Sequence, residues 1–240
     1  MNVWLIAKRD FAGALHGLWG YALVASVLFI DGLLFNVFAM ERTAKFSHEV
    51  IEDFFYYTSG PTVIAAVLFT IRSFAEERQV GTDTLLDTSP VSETEIVIGK
   101  YLSVMGVLTL LTLLTLYMPA LIFVNGKVSV GHIAIGYVGL LGLASAAGAI
   151  GLFGSSLVRS QVAAAILSGV MVVTLLICWF LAELTEPPFT DVIAGLALHN
   201  QHFQPFSEGR LVSTNLVFYA TVTYVFLMLT TRILRARRWQ

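Results

Sequence analysis

The chain has 240 residues, of which 57% are hydrophobic and only 12% are charged, and its formal net charge is -2. So few charged side chains cannot cover the surface of a water-soluble protein of this size. The composition therefore excludes an ordinary soluble domain and indicates a membrane protein. The single cysteine, Cys178, excludes both an intramolecular disulfide and a metal cluster of thiolates.

Residues 1–16 are too short and too mixed to cross a bilayer, but they have the pattern of an amphipathic helix. The apolar residues that share one side of a helical projection are Trp4, Leu5, Phe11, Ala12 and Leu15. Arg9 and Asp10 lie off that side. We therefore expect an interfacial helix on the membrane surface, with a frayed terminus as the alternative.

Six later stretches are long and apolar enough to span the bilayer. A bilayer core about 30 Å thick requires roughly 20 apolar residues in helical form, because every backbone polar group must be paired within the segment. The predicted spans are residues 18–40, 54–74, 101–124, 132–158, 162–181 and 216–234. Gly60 and Pro61 interrupt the second span, which leaves a broken or tilted helix open there. The fold class is thus all-α and polytopic, with one domain over 1–240.

The positions of Lys and Arg predict that both termini are cytoplasmic, since cytoplasmic loops retain positive charge during insertion. That arrangement places these basic residues inside: Lys8, Arg9, Arg72, Arg78, Lys100, Arg159, Arg232, Arg235, Arg237 and Arg238. It leaves Arg42, Lys45, Lys127 and Arg210 outside. Two polar segments are then long enough to have a function, the cytoplasmic connection between spans two and three and an external segment at 183–214.

Asp31 lies inside the first predicted span, where a charge costs roughly 2.5 to 3.5 kcal/mol at the membrane centre. We expect it to line a dimer interface or a polar substrate route. A protonated or hydrogen-bonded carboxyl with a purely structural role is the alternative.

The fourth span contains small residues at short intervals, which allow helix backbones to approach closely. They are Gly139, Gly142, Ser145, Gly148, Gly151 and Gly154. This pattern predicts packing within the subunit, with a dimer contact as the alternative.

The cytoplasmic connection predicts a helix, a break and a second helix. Residues 76–79 continue span two, Pro90 interrupts the helix, and Ser92 with Glu95 forms a capping box before the next apolar run. Leu85 and Leu86 form a small apolar knob among polar residues, suited to docking on a soluble partner.

At this connection the sequence resembles the type 2 ABC exporter (ABC-2) permeases, in which an EER...GT...LL...SP stretch contacts the nucleotide-binding subunit. The matching residues, in a segment of 76–90 that we call the coupling segment, are Glu76, Glu77, Arg78, Gly81, Thr82, Leu85, Leu86, Ser89 and Pro90. The stretch HFQPFSEG at residues 202–209 is similar to the external segment of permeases of gliding-motility and nitrous-oxide-operon systems.

The resemblance implies a membrane subunit in the bacterial cytoplasmic (inner) membrane that works with two ABC ATPase subunits and a second permease copy or paralogue. An auxiliary membrane subunit is a further expected partner, and nucleic acid is not one. ATP and magnesium would be bound by the ATPase, and this chain would export a substrate without a cofactor. A mechanical or regulatory module that moves an external partner without substrate flux is the alternative.

The sequence predicts no catalytic site. The glycine-lysine pairs at Gly99 and Gly126 lack the upstream glycine of a phosphate-binding loop, so ATP hydrolysis must come from another chain. His48 and Glu49 begin a zinc-protease pattern, but Glu52 stands where the second histidine would be. An intramembrane enzyme would need a catalytic pair, and only Asp31 is a convincing buried ionisable group.

His199 and His202, in the external segment, are close enough in sequence to consider as metal ligands. Their spacing alone is a weak signal, and no predicted helix places them. We therefore expect a polar external loop and no metal site.

Overall fold

The computed structural model describes residues 2–40, 45–81, 91–125 and 128–238, and it is helical without strands in these parts of the chain. The helices are α1 Asn2–His16, α2 Leu18–Leu34, α3 Ser47–Val80, α4 Glu93–Leu114, α5 Tyr117–Asn125, α6 Val130–Leu157, α7 Gln161–Glu183, α8 Phe189–Ala194, α9 Gln204–Ser207 and α10 Ser213–Arg238. A π-helical turn, Phe35–Ala39, continues α2.

Six helical segments of the described chain are long and apolar enough to cross a membrane, which confirms the predicted all-α polytopic fold. They are Leu18–Ala39, Ser47–Val80, Glu93–Phe123, Val130–Leu157, Gln161–Glu183 and Ser213–Arg237. The predicted N-terminal helix is also present, as α1.

The second span is continuous, although Gly60 and Pro61 left a broken helix open. Helix α3 runs through Pro61 for 34 residues. Proline removes one backbone hydrogen bond, and nearby hydroxyl groups in membrane helices can pair with backbone groups at such positions. Pro61 leaves the Tyr57 carbonyl without its usual donor. The hydroxyl groups on either side donate to the adjacent carbonyls, Ser59 to Tyr56 at 2.5 Å and Thr62 to Thr58 at 2.9 Å.

The third span is the one that breaks, in contrast to the single helix predicted over 101–124. Helix α4 ends at Leu114 and α5 begins at Tyr117. Pro119 has no N–H to donate to the carbonyl of Thr115, so the regular ladder cannot continue across this position. The Thr115 hydroxyl donates to the Thr112 carbonyl at 2.7 Å and the Met118 N–H to the Thr115 carbonyl at 3.0 Å, which pairs backbone groups at the turn.

Helix α6 lies at the centre of the bundle and packs against α3 and α10. A Cβ atom added at Gly136 would lie 2.1 Å from a ring carbon of Phe55, and one at Gly151 would lie 2.0 Å from the Thr70 hydroxyl oxygen. Real Cβ contacts are never this short, so the glycines allow α3 to approach the α6 backbone. The prediction that the small residues of this span pack within the subunit is confirmed.

The bundle has two polar ends, which we name after residues that lie in them. At the Lys100 end, α1 packs along the first turns of α4, and an apolar cluster that includes Ile6, Phe74 and Leu152 joins α1 to the ends of α3 and α6. Arg237 there donates to the Leu157 carbonyl at 2.7 Å, and Arg235 donates to the Thr94 hydroxyl at 3.1 Å. At the His199 end, α8 and α9 pack against the other ends of the spans.

Candidate functional site

A buried ammonium group connects three helices at the Lys100 end. The Lys100 side chain is only 2% exposed, and its Nζ lies 2.8 Å from a Glu77 carboxylate oxygen and 3.3 Å from one of Asp10. It also donates to the Ser73 carbonyl at 2.7 Å and lies 5.2 Å from the centre of the Phe74 ring. One cation therefore joins α1, α3 and α4, and its partners offset the cost of burying it.

Arg9 completes this group, which we call the Lys100 cluster: Arg9, Asp10, Glu77 and Lys100. Its guanidinium pairs with Asp10 at 2.8 Å and with Glu77 at 3.2 Å. The cluster thus alternates two cations with two anions across α1, α3 and α4. Since several groups share each charge, it resists small displacements better than an isolated surface pair does.

Two glycines of α4 bring α1 close enough to form the cluster. A Cβ at Gly99 would lie 2.9 Å from the Ile6 side chain, and one at Gly106 would lie 3.0 Å from the Phe11 ring. The two glycines are seven residues apart and so lie on the same face of α4. Helix α1 is therefore packed along α4, with Ile6 buried and Trp4 exposed.

The glutamate and arginine residues predicted to contact an ATPase lie in the last turns of α3. Glu76 pairs with Arg72 one turn earlier, and Glu77 belongs to the Lys100 cluster. Arg78 donates to the carbonyls of Ser156 and Val158 at the end of α6. Glu77 and Arg78 therefore fix the end of α3 to its neighbours, while Glu76 pairs within α3 itself.

Gly81 ends α3 in a left-handed conformation, with φ at +79°, which a glycine adopts readily. The remaining residues of the predicted coupling segment lie outside the described residues: Thr82, Leu85, Leu86, Ser89 and Pro90. The predicted capping box that follows is confirmed. Ser92 accepts from the Glu95 N–H at 3.3 Å, and the Glu95 carboxylate accepts from the Ser92 N–H at 3.0 Å.

A hydroxyl group of α6 joins the end of α3 to the bundle centre. Ser155 accepts hydrogen bonds from the N–H groups of Phe74 at 3.2 Å and Ala75 at 3.1 Å, and it donates to the Ile71 carbonyl at 2.8 Å. Displacement of the last turns of α3 therefore acts directly on α6.

Asp31 lies inside the subunit, completely buried, and neither of its carboxylate oxygens has a hydrogen-bond partner among the residues that the structure describes. Tyr137 lies within electrostatic range of it, and the Tyr137 hydroxyl is 3.0 Å from that of Thr115 at the α4–α5 break. A carboxyl, a broken helix and two hydroxyl groups thus lie in the same region of the bundle, next to the π-helical turn that continues α2.

The histidines of the predicted polar loop are structural contacts at the His199 end. His199 lies 2.6 Å from the Ser59 hydroxyl, and burial lowers its pKa from the ordinary value. His202 is buried, stacks on Phe218 at 3.6 Å and lies 3.0 Å from the Asn215 side-chain oxygen. Among the described residues, no three His, Cys, Asp or Glu side chains converge as a metal site would require.

Sequence reasoning missed the ion pairing of Asp10 and Lys100. It placed Asp10 on the water side of α1 and Lys100 among the basic residues at the entry to span three, because both are ordinary charged residues near a membrane surface. The sequence did contain a signal for the close packing that brings these two residues together. Gly99 and Gly106 mark a face of α4 that accepts a close neighbour, and Lys100 follows the first of them.

The fold and this polar end define a polytopic α-helical membrane protein whose surface helix and second span are joined by buried charge. The family profile described as "ABC-2 family transporter protein" matches residues 4–237. The chain therefore belongs to the ABC-2 family of transporter membrane subunits. The comparison with curated proteins finds no match.

Proposed function

We propose that the chain is the permease subunit of an ABC transporter, exporting a substrate with energy from separate ATPase subunits that dock at the Lys100 end. That end would face the cytoplasm, with both termini, in a bacterial inner membrane. A second permease copy or paralogue and two ATPases, which bind ATP and magnesium, would complete the complex. An auxiliary membrane subunit is a further proposed partner.

The Lys100 cluster is the observation that best supports this proposal. It joins α1 and α4 to the end of α3, at the start of the coupling segment, while Ser155 and Arg78 join α3 to α6. A force applied at residues 76–90 would therefore be transmitted to α1, α3, α4 and α6 together. It would not be lost in the bending of a single loop. Such rigid connections are what a conformational transport step requires.

Replacing Leu85 and Leu86 together with Asp is expected to detach or uncouple the ATPase, because two charges would disrupt an apolar docking knob. The measurement is ATP turnover of the complex purified from its native membrane, together with the amount of ATPase retained. Leu211→Asp is the control, since Leu211 is exposed at the opposite end of the bundle. A native complex without any nucleotide-hydrolysing subunit, or unchanged turnover in the double variant, would contradict the proposal.

Asp31→Asn is expected to lower substrate flux strongly while leaving assembly intact, since the amide has the shape of the carboxyl but cannot ionise. Burial of Asp31 within one subunit argues against a role at a dimer interface, and the variant tests the proposed role on a polar substrate route. Flux into reconstituted vesicles and recovery of the complex are the two measurements. Asp191→Asn, at an exposed residue of α8, is the matched control. Normal flux in the Asp31 variant would remove this residue from the mechanism.

The same vesicles separate export from the mechanical alternative. The transported molecules to be followed are the small molecules that copurify with the native complex. A module that only moves an external partner would hydrolyse ATP without transporting any of them. We expect flux that depends on ATP, and turnover without flux would favour the mechanical role.

A further inference from the structure

A cavity of about 880 Å³ lies beside the Lys100 cluster, between α1, α2, α3 and α4. Its volume is in the range of about 300 to 1,000 Å³ that small-molecule sites usually have. Gly13 of α1, Gly17 between the two helices and Gly20 of α2 form part of its wall. Neither the family assignment nor the proposed coupling role gives this cavity a ligand.

The cavity has a charged part and an apolar part. Its charged lining residues are Arg9, Asp10, Arg72, Glu76, Glu77 and Lys100. Trp19 and Phe69 belong to the apolar part. Trp19 is 49% exposed at the start of the first span, where tryptophan usually marks the level of the lipid headgroups. The cavity therefore lies where a headgroup meets its acyl chains.

The charges restrict the kind of headgroup. Among the described lining residues, three are basic and three are acidic, so their formal charges balance. Lys100 is buried and surrounded by its own partners, but the Arg9 and Arg72 side chains are 57% and 38% exposed and retain N–H donors for a further anion. Glu76 lies beside Arg72 and can accept from an ammonium group. A site with equal numbers of basic and acidic side chains suits a zwitterionic headgroup better than a headgroup with a net negative charge.

We propose that this cavity binds one phospholipid with a zwitterionic phosphoethanolamine headgroup, taken from the leaflet at the Lys100 end. Arg9 and Arg72 hold the phosphate, the carboxylate of Glu76 accepts from the primary ammonium, and Trp19 and Phe69 contact the start of the acyl chains. The lipid fills the space between α1 and the spans and stabilises the position of α1. This proposal requires no ATPase, so it stands or fails separately from the proposed function.

The test uses the purified, delipidated full chain in detergent with phosphatidylethanolamine, phosphatidylcholine or phosphatidylglycerol added. Retained lipid is measured by native mass spectrometry, and unfolding is followed with a thiol-reactive dye on the single, buried Cys178. We expect phosphatidylethanolamine to bind and stabilise most. Phosphatidylcholine has the same net charge but no ammonium N–H to donate, and phosphatidylglycerol is a net anion.

Two substitutions that remove charges of opposite sign give the decisive comparison. Glu76→Gln removes a negative charge and is expected to shift the preference toward phosphatidylglycerol. Arg72→Gln removes a phosphate donor and is expected to weaken phosphatidylethanolamine binding about tenfold, the usual effect of losing one charged hydrogen bond. Arg9→Gln, on another helix, should act like Arg72→Gln and serves as the second variant if the first is unstable. Arg235→Gln, at a similarly exposed arginine that does not line the cavity, should change nothing.

Equal stabilisation by the three lipids would overturn the proposal, and so would a lipid order that neither Glu76→Gln nor Arg72→Gln changes. Absence of any retained phospholipid would also overturn it.

Discussion

Lys100→Met is expected to destabilise the protein by about 3 kcal/mol, the cost of removing one partner from a buried ion pair. The methionine fills most of the space of the lysine stem, so the loss comes from charge and not from a cavity. Asp10 and Glu77 would then lose the cation that they share, although Arg9 still pairs with both of them. The melting temperature, measured through the reactivity of Cys178, should fall by several degrees.

Lys8→Met is the matched control, because Lys8 lies on the same surface helix as Asp10 and is exposed. Substitutions of exposed residues usually change stability by less than about 0.5 kcal/mol. Adding Glu77→Gln to Lys100→Met should restore part of the loss, since it removes one of the two carboxylates that lose Lys100 as a partner. A Lys100 variant as stable as the Lys8 variant would show that the cluster does not hold α1 in place.

The spans were predictable because the bilayer imposes a simple rule on each of them separately. Any segment that crosses the apolar layer must be a long apolar helix, and periodicity within the segment is enough to find it. The glycines of α6 were predictable for a related reason, since small residues on a membrane helix have few uses other than close packing. The Ser92 and Glu95 capping box was predictable because both groups belong to one local turn.

The break in the third span and the Lys100 cluster were not predicted. A proline by itself does not decide whether a membrane helix continues through it, and the cluster joins residues distant in sequence. Pro61 and Pro119 look alike in the sequence, but α3 continues through the first and the third span turns just before the second. The partners of Lys100 come from Asp10 and Glu77, which are 90 and 23 residues away. Charge placement predicts a side of the membrane for each end of the bundle, but it carried no information on which charges would pair.

Gly20→Ala is the second substitution with a large expected effect, because the obstacle that its side chain meets is backbone. A Cβ at Gly20 would lie 1.7 Å from the carbonyl oxygen of Ala14 and 2.9 Å from its carbon. No rotamer change can relieve this overlap, so α1 must move relative to α2. That movement would draw Asp10 away from Lys100 and narrow or distort the cavity beside them.

We expect Gly20→Ala to cost roughly 2 to 3 kcal/mol, the upper part of the range for overpacking. Gly169→Ala is its control, since a Cβ there meets nothing within 4 Å. A double-mutant cycle then identifies the cause. If the movement of α1 breaks the contact between Asp10 and Lys100, Asp10→Asn should cost much less in the Gly20→Ala background than in the native chain. Additive losses would mean that α1 remains on Lys100 and that the strain is absorbed within the turn.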